Sequence, residues 1–396
     1  MSTASSPIRI GYCLSLTGPV ADNSRSAQLT HEIWREEINR QGGLLGRPVE
    51  FVRYDDHADA SQVPGIYKRL MDEDRVDLVI GGYGTNTVLP AMPLIMERKR
   101  FFVGLMGLGV NNALGYPNYF AMIPTGPNPN AALTEGFFAL AGEQSPRPAT
   151  VALVSADAEF SRNPILGAKA NAKKYDFKIV HEAIYPLATV DFTPVIDVAA
   201  KSDCELLFLC SYLADSIGLV RAINANPLRP KMVGGGMIGP QNTAVKTALG
   251  GLLNGFVNYE YWEPVPKMMF PGVQQFLNTY QARANDAKVD PLGHYMAPLA
   301  YAQMQVVAHA VESTGGFDDA RLGAHTRSTT FDTVMGAVKF GVNGEWAEPR
   351  VLQVQFQGIT GHGVDQFQTG SRQIVVSPPD FASGELQFPY RPKPCE

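Results

Sequence analysis

The stretch Val76-Asp-Leu-Val-Ile-Gly-Gly-Tyr-Gly-Thr-Asn86 decides how the rest of the chain is interpreted. Its first part, 76–80, is the short and almost continuous apolar run typical of a parallel strand covered on both faces. The three glycines allow a sharp turn, and Thr85 or Asn86 can cap the helix predicted to follow, through about Met96. Backbone N–H groups would then point out of the sheet's carboxyl edge, where a small polar or anionic group can bind. An ordinary strand-to-helix turn has the same sequence features.

Strand-like and helix-like segments alternate on both sides of this stretch. Strands are predicted at 8–15, 49–54, 76–80, 101–103 and 119–123, and again at 151–154, 177–184, 206–209, 231–233 and 255–257. Such alternation predicts an α/β fold of two similar halves, each a doubly wound parallel sheet with right-handed crossovers. The polar, proline-rich stretch 143–148 separates the halves, and the Gln-, Pro- and Gly-rich tail is expected to wrap around the fold.

Length and composition predict a soluble protein of two domains. With 396 residues, of which 45% are hydrophobic and 18% charged, the chain can build two full cores. A net charge of -5 leaves no basic surplus, so binding to nucleic acid or to an anionic membrane surface is not expected. The longest apolar runs, such as 101–105, are far shorter than the roughly 20 residues that cross a bilayer. The start, 1–6, lacks a basic and apolar leader, so a secretory signal is absent or has been removed.

The four cysteines form no disulfide framework. Cys204 and Cys210 fall in one predicted strand and share a face, but about 3.3 Å per residue places them roughly 20 Å apart. Cys13 lies in the first predicted strand and Cys395 in the tail. Free thiols are therefore expected.

The marks of catalysis are missing from the sequence. The seven histidines are scattered with no pair at the helical spacing of metal ligands, and no nucleophile elbow or phosphate-binding loop occurs. Asp55-Asp56-His57 could ligate a metal, although a solvated turn at a strand end is favoured. Gly234-Gly-Gly236 lacks the spacing of a dinucleotide-binding motif. The sequence therefore predicts a binding protein with no metal, no cofactor and no enzymatic activity.

A set of segments, taken in order, resembles a known family. These are Ile8 to Asn39, Gly42 to Pro48, Tyr54-Asp-Asp56, Val79-Ile-Gly81 with Pro90, Val151 to Val154, Asp191-Phe-Thr193 and Asp290-Pro291. Their order and spacing resemble the leucine/isoleucine/valine-type solute-binding proteins of ABC importers over nearly the whole chain.

The resemblance implies a type I periplasmic binding protein clamshell. Two Rossmann-like lobes, joined by three crossover strands, would close on a ligand like a hinge. On this sequence the crossovers are expected near Pro124, Asn258 and Met335. Lobe 1 would comprise residues 1–124 and 258–334, and lobe 2 residues 125–257 and 335–396 with the wrapping tail.

In lobe 1 the resemblance implies a site for the carboxylate of the ligand. The turn after the opening strand would hold it through Thr85, with Tyr83, Gly84 and Asn86 beside it. The next loop, Met106-Gly-Leu-Gly109, would add contacts, but Gly107 and Leu108 stand where the family usually has an Ala-Thr pair. One hydroxyl donor of the family pattern is therefore missing.

In lobe 2 the resemblance implies aromatic contacts and an acidic partner for a ligand ammonium. The aromatic positions correspond to Phe160 and Tyr212, for which core or surface packing is the alternative. The family's acidic residue is replaced by the stretch Gly234-Gly-Gly-Met237. Either Asp157 or Asp215 supplies the charge from a neighbouring loop, or the ligand has no amine, because a buried ammonium without a carboxylate is costly.

We favour a ligand without an amine. The side chains expected to surround it are mainly aromatic and apolar, namely Tyr83, Met106, Leu108, Phe160, Tyr212 and Met237. Arg25, at the start of the first helix, could pair with a carboxylate, or could simply be exposed on the first helical turn.

The predicted function is that of a monomeric periplasmic solute-binding protein. It would capture a small carboxylated solute and present it to an ABC permease in the inner membrane. An aromatic or aliphatic acid is the favoured solute, and a hydrophobic amino acid is the alternative. The alternative is a cytoplasmic ligand-sensing regulator of the amide-responsive type, which the stretch Val20-Ala-Asp-Asn-Ser-Arg-Ser26 also resembles.

Overall fold

The computed structural model describes residues 6–227 and 229–391, without the side chain of Glu159. The chain divides into two compact units: unit 1 is Met1–Pro127 with Phe270–Pro349, and unit 2 is Asn128–Met269 with Arg350–Glu396. None of the described helices is long and apolar enough to span a bilayer.

The chain passes between the units further along than the sequence suggested. Asn258, where a crossover was expected, lies inside a strand that pairs with two strands of unit 2. Met335, where another was expected, lies in the turn of an antiparallel hairpin in unit 1. The hydrogen bonds of the strand and of the hairpin therefore keep these two expected boundaries each inside one unit.

Strands and helices alternate through the first segment of unit 1. They are β1 (Ile8–Leu14), α1 (Ala21–Arg40), β2 (Val49–Asp55), α2 (Val63–Asp72), β3 (Leu78–Val79), α3 (Thr85–Glu97), β4 (Phe102–Gly104) and β5 (Tyr119–Ala121). The alternation continues in unit 2 with α4 (Pro129–Gly142), β6 (Thr150–Ala156), α5 (Glu159–Lys174), β7 (Lys178–Tyr185), α6 (Thr193–Ala200), β8 (Leu206–Ser211), α7 (Leu213–Ala225), β9 (Met232–Met237), α8 (Thr243–Leu249) and β10 (Val257–Glu260). The rest of the chain forms α9 (Val273–Ala287), α10 (Ala297–Thr314), α11 (Asp319–Ser328), β11 (Thr330–Thr333), β12 (Gly336–Lys339), β13 (Leu352–Phe356) and β14 (Gln373–Ser377).

The strands of unit 1 are parallel, apart from the β11–β12 hairpin. β1 lies between β2 and β3, and β4 pairs with β5. The amide of Gly81 donates to the carbonyl of Val103 at 2.9 Å, which connects the end of β3 to β4. Ile8, Ile10 and Tyr12 of β1 are fully buried, as expected of a strand covered on both faces.

Unit 2 contains a seven-stranded sheet in the order β14-β13-β10-β9-β8-β6-β7. The five strands from β7 to β10 in this order are parallel, whereas β13 and β14 are antiparallel additions at one edge. The tail was predicted only to wrap around the fold, and this was wrong in part, because β14 is a strand of the sheet.

Gln373 of β14 joins two buried charged residues of unit 2. Its side-chain oxygen accepts from Lys246 Nζ at 2.6 Å, and its Nε2 donates to Glu263 Oε1 at 2.8 Å. All three side chains are buried, and burial raises the pKa of Glu263 above its ordinary value. The tail therefore supplies the polar bridge that satisfies these two buried ionisable groups.

Three further details correct the sequence predictions. α4 was not predicted because its apolar residues are not confined to one face, and it buries Phe137 and Phe138 in the core. Cys204 precedes β8 and does not share a strand with Cys210, although both are free thiols, as is Cys13. Cys395 lies outside the described residues.

Candidate functional site

The first group of candidate residues lies where β3 and β4 end in unit 1. α3 begins at Thr85, and its N-cap is Gly84 with no side-chain cap, so the predicted capping by Thr85 or Asn86 was wrong. Gly84 has φ 94° and ψ 153°, a conformation that is readily adopted only by glycine. This turn leaves backbone N–H groups at the start of α3 without a side-chain partner, which is an arrangement suited to an anion.

The hydroxyl of Thr85 connects the two loops. Thr85 Oγ1 accepts from the amide of Leu108 at 3.1 Å, and both residues are buried. A hydroxyl can accept and donate at once, so the Thr85 proton remains a donor while the oxygen holds the second loop. Thr85 therefore holds the second loop in position, in addition to any contact that it makes with a ligand.

Gly107 stands where packing leaves no room for a side chain. A Cβ at this position would lie 2.8 Å from Val110 Cγ2 and 3.0 Å from both Tyr119 Oη and Val88 Cγ1. The alanine that the family pattern has at this position therefore could not be accommodated here without moving its neighbours. Met106, on the same loop, is buried.

Tyr83 is held inside unit 1 by its hydroxyl. Asn23 Nδ2 donates to Tyr83 Oη at 2.9 Å, and the hydroxyl of Tyr295 lies 3.5 Å away. The Tyr83 and Tyr295 rings meet edge to face with their centroids 6.4 Å apart. Burial raises the pKa of Tyr83, so its hydroxyl stays protonated.

A buried glutamine, which was not predicted, connects the strand ends beneath these loops. Gln303 Nε2 donates to the carbonyls of Gly81 at 2.9 Å and Val103 at 2.8 Å. Its Oε1 lies 3.1 Å from His31 Nε2, and burial lowers the pKa of His31 to about 4. With both amide hydrogens used, Oε1 must accept, so the neutral His31 carries its proton on Nε2.

Asn86 and Arg25 have the two most exposed side chains of this group. Asn86 is exposed on the first turn of α3. Arg25 forms an ion pair with Asp22 at 3.1 Å on the first turns of α1. The Arg25 side chain is partly exposed on the first turns of α1, in line with the simpler of its two interpretations, and a role in ligand binding stays a prediction.

The second group lies at the carboxyl edge of the unit 2 sheet. Tyr212 follows β8 and is the N-cap residue of α7. Its hydroxyl accepts from the amide of Phe160 at 3.2 Å, and the two rings meet edge to face with centroids 6.0 Å apart. The structure therefore brings the two predicted aromatic residues together, and both are only partly buried.

The two candidate acidic residues of unit 2 have other partners. Asp215 is buried and accepts from the hydroxyl of Tyr185 at 2.6 Å and from the amide of Ser216 at 3.1 Å. Burial is the main cause that raises the pKa of Asp215. Asp157 is exposed and lies 3.7 Å from Arg162.

The glycine stretch of β9 is shaped by close packing. A Cβ on Gly234, whose φ is 120°, would lie 1.9 Å from the carbonyl oxygen of Val257, and one on Gly235 would lie 2.5 Å from the Phe208 ring. Met237, at the end of the strand, is fully buried, and Asn258 binds its backbone amide at 3.0 Å and its carbonyl at 2.7 Å. No acidic side chain could replace these glycines without disrupting the sheet.

Within 6–227 and 229–391, no group of three or more His, Cys, Asp or Glu side chains is placed to hold a metal ion. Asp55, Asp56 and His57 follow β2, where the carboxylates accept hydrogen bonds from the backbone. Asp55 Oδ1 accepts from the amides of Leu16 and His57, and Asp56 Oδ1 from that of Ala58. These bonds are typical of a turn at a strand end.

Comparison with known proteins gives consistent matches over most of the chain. The sequence profile described as periplasmic binding protein matches residues 7–357. A relative named Leu/Ile/Val-binding protein homolog 8, from Brucella abortus (strain 2308), is 22% identical over 98% of this chain and 94% of its own length.

Solved structures resemble the fold closely. A branched-chain amino acid transporter substrate-binding protein from Streptococcus pneumoniae, in complex with isoleucine, has a TM-score of 0.74 at 16% identity, covering 90% of this chain and 97% of its own. A solute-binding protein of an ABC transporter from R. palustris, in complex with benzoate, has a TM-score of 0.75 at 16% identity, covering 94% and 96%. These likenesses confirm the predicted α/β fold class.

Proposed function

Because this chain belongs to the periplasmic binding protein family of ABC transporters, we propose that it captures a small carboxylate that has no amine. The observation that carries this proposal is the state of the acidic residues in unit 2. Asp215 accepts a 2.6 Å hydrogen bond from Tyr185, Asp157 is exposed beside Arg162, and β9 has glycine where the family has an acid. Of the acidic residues considered for it, an ammonium group would thus have to share Asp215 with Tyr185 or Asp157 with Arg162.

We assign the carboxylate of the ligand to the unit 1 edge. The N–H groups at the start of α3 and the Thr85 hydroxyl offer donors, and the helix dipole favours a negative charge there. In unit 2, the partly buried Phe160 and Tyr212 are the aromatic residues that the family resemblance assigns to a ligand. Benzoate, which is bound by the structural neighbour from R. palustris, combines these two chemical features.

The remaining parts of the proposal follow from the family. The protein works in the periplasm, delivers its solute to a permease in the inner membrane and catalyses no reaction. The named relatives are solute-binding proteins, which supports this assignment.

Thr85→Val tests the carboxylate site. Valine keeps the branched shape but removes the acceptor of the Leu108 amide and the donor for the ligand, so benzoate binding should weaken about 10- to 100-fold. Thr85→Ser keeps the hydroxyl and should bind within a few-fold of the wild-type protein. Calorimetric titration with benzoate, and with isoleucine in parallel, measures both variants and identifies the preferred probe.

Two results would contradict the proposal. Equal benzoate affinity in Thr85→Val and the wild type would show that the Thr85 hydroxyl does not bind the ligand. Tight binding of isoleucine, without binding of benzoate, would show that the ligand class is wrong while leaving the family assignment intact.

Asp215→Asn tests the assignment of the ammonium partner. Asparagine retains an oxygen that can accept from Tyr185 but removes the charge, so benzoate affinity should change less than about threefold. If Asp215 binds a ligand ammonium, isoleucine affinity should instead fall at least about tenfold. The thermal unfolding midpoint of the variant, measured without a probe, separates loss of binding from loss of folding.

A further inference from the structure

Folding brings together two histidines that lie on consecutive helices, 16 positions apart along the chain. His309 lies on α10 and His325 on α11, and the distance from His309 Nδ1 to His325 Nε2 is 3.3 Å. Their ring planes are inclined by only 21°, with centroids 5.4 Å apart. His309 is exposed and His325 is half-buried, so the facing nitrogens lie near the surface of unit 1.

The surroundings hold both rings in this arrangement. Phe331, the second residue of β11, meets the His309 ring edge to face at 5.1 Å and the His325 ring at 6.2 Å. Ser313 Oγ lies 3.4 Å from His309 Nδ1, and Thr329 Oγ1 lies 3.3 Å from His325 Nε2. Two imidazole nitrogens and two hydroxyl oxygens therefore converge on one small region, fixed by an aromatic side chain.

We propose that His309 and His325 form a two-histidine binding site for a tetrahedral divalent metal of the zinc type. Imidazole nitrogens bind zinc at about 2.0–2.1 Å, so two ligands at the tetrahedral angle stand about 3.3–3.4 Å apart. A square-planar metal would require ligands at a right angle, only about 2.8–3.0 Å apart. The observed 3.3 Å matches the tetrahedral geometry.

The two imidazole nitrogens would fill two of the four coordination positions of a tetrahedral metal and leave the other two open. Water, or the hydroxyls of Ser313 and Thr329, can fill these positions without a change in charge. Neutral imidazoles and hydroxyls suit a borderline metal better than Mg²⁺ or Ca²⁺, which prefer several carboxylate or carbonyl oxygens. The metal would connect α10 to α11 and so stabilise unit 1 in proportion to its binding.

The test is a calorimetric titration of the full chain with ZnCl₂ after chelator treatment. It is done in a Cys395→Ser background, so that a thiolate outside the described residues cannot bind the metal. We expect one zinc per chain, and at least about tenfold weaker binding in His309→Gln and in His325→Gln. The matched control, His362→Gln, removes an exposed histidine that contacts the Thr247 carbonyl and should leave zinc binding unchanged.

Substitution by Co²⁺ tests the geometry separately. Tetrahedral cobalt gives strong visible absorption, whereas a six-coordinate, mostly hydrated ion gives weak absorption, and only the first agrees with the proposal. Zinc binding that is unchanged in the double variant His309→Gln/His325→Gln would overturn it. Absence of zinc binding in the parent protein would overturn it as well, and would leave the 3.3 Å contact as a hydrogen bond between imidazoles.

Discussion

Gly234→Ala should destabilise unit 2 by at least about 3 kcal/mol or prevent it from folding. The new Cβ would lie 1.9 Å from the carbonyl oxygen of Val257, and φ of 120° is a conformation that alanine rarely adopts. The clash is with backbone of the neighbouring strand β10, which pairs with Gly234, so no side-chain rotation can relieve it. Chemical unfolding followed by tryptophan fluorescence and circular dichroism measures the loss.

Gly236→Ala is the matched control in the same strand. Its Cβ would lie 3.0 Å from the nearest atom, the Leu209 carbonyl oxygen, and its φ is not positive. A loss of about 1–2 kcal/mol is expected. Equal stability of Gly234→Ala and the wild type would contradict the close packing that we hold responsible for the missing acidic residue.

Gln303→Leu should weaken both folding and binding of the carboxylate probe. The substitution removes the donors that hold the carbonyls of Gly81 and Val103 and leaves His31 Nε2 without its acceptor. Burying these groups unpaired should cost about 2–4 kcal/mol of unfolding free energy. Because Gly81 follows β3 and Val103 lies within β4, the two strands that precede the loops of unit 1, benzoate affinity should fall at least about tenfold.

Gln305→Leu distinguishes positioning of the loops from a general effect on α10. Gln305 lies on the same helix, but its side-chain oxygen accepts from the amide of Val334, between β11 and β12. The Gln305→Leu variant should be less stable than the wild type but should keep the wild-type affinity for benzoate. If both variants lose affinity equally at matched stability, Gln303 has no specific effect on the loops.

The sequence carried the information for the fold and for the family. Alternating apolar strands and amphipathic helices predicted the α/β units, and the family resemblance is confirmed by the profile match over residues 7–357. The alternation of strands and helices is visible in the spacing of apolar residues that are close together along the chain. The prediction missed α4, because apolar residues on several sides of this helix leave no helical spacing of apolar and polar residues.

Residue partnerships over long range could not be predicted in the same way. Gln303 binds backbone groups about two hundred positions earlier in the chain, and nothing in its local sequence distinguishes it from an exposed glutamine. His309 and His325 lie on different helices, so the spacing rules for one helix could not pair them. The hydrogen bond from Tyr185, at the end of β7, to Asp215, in the first turn of α7, likewise joins residues on different elements. A single sequence records the residues of such contacts but not their proximity.

The bridge through Gln373 sets a limit on how this protein can be converted into a biosensor. Reporter domains are commonly attached to chain ends, and a designer who shortened the tail before β14 would remove the amide between Lys246 and Glu263. Two buried ionisable groups would then lose their shared partner, at a cost comparable to breaking a buried ion pair. Fusion points in the tail therefore belong after Tyr390, which is buried and whose amide donates to the carbonyl of Lys231 at 2.8 Å.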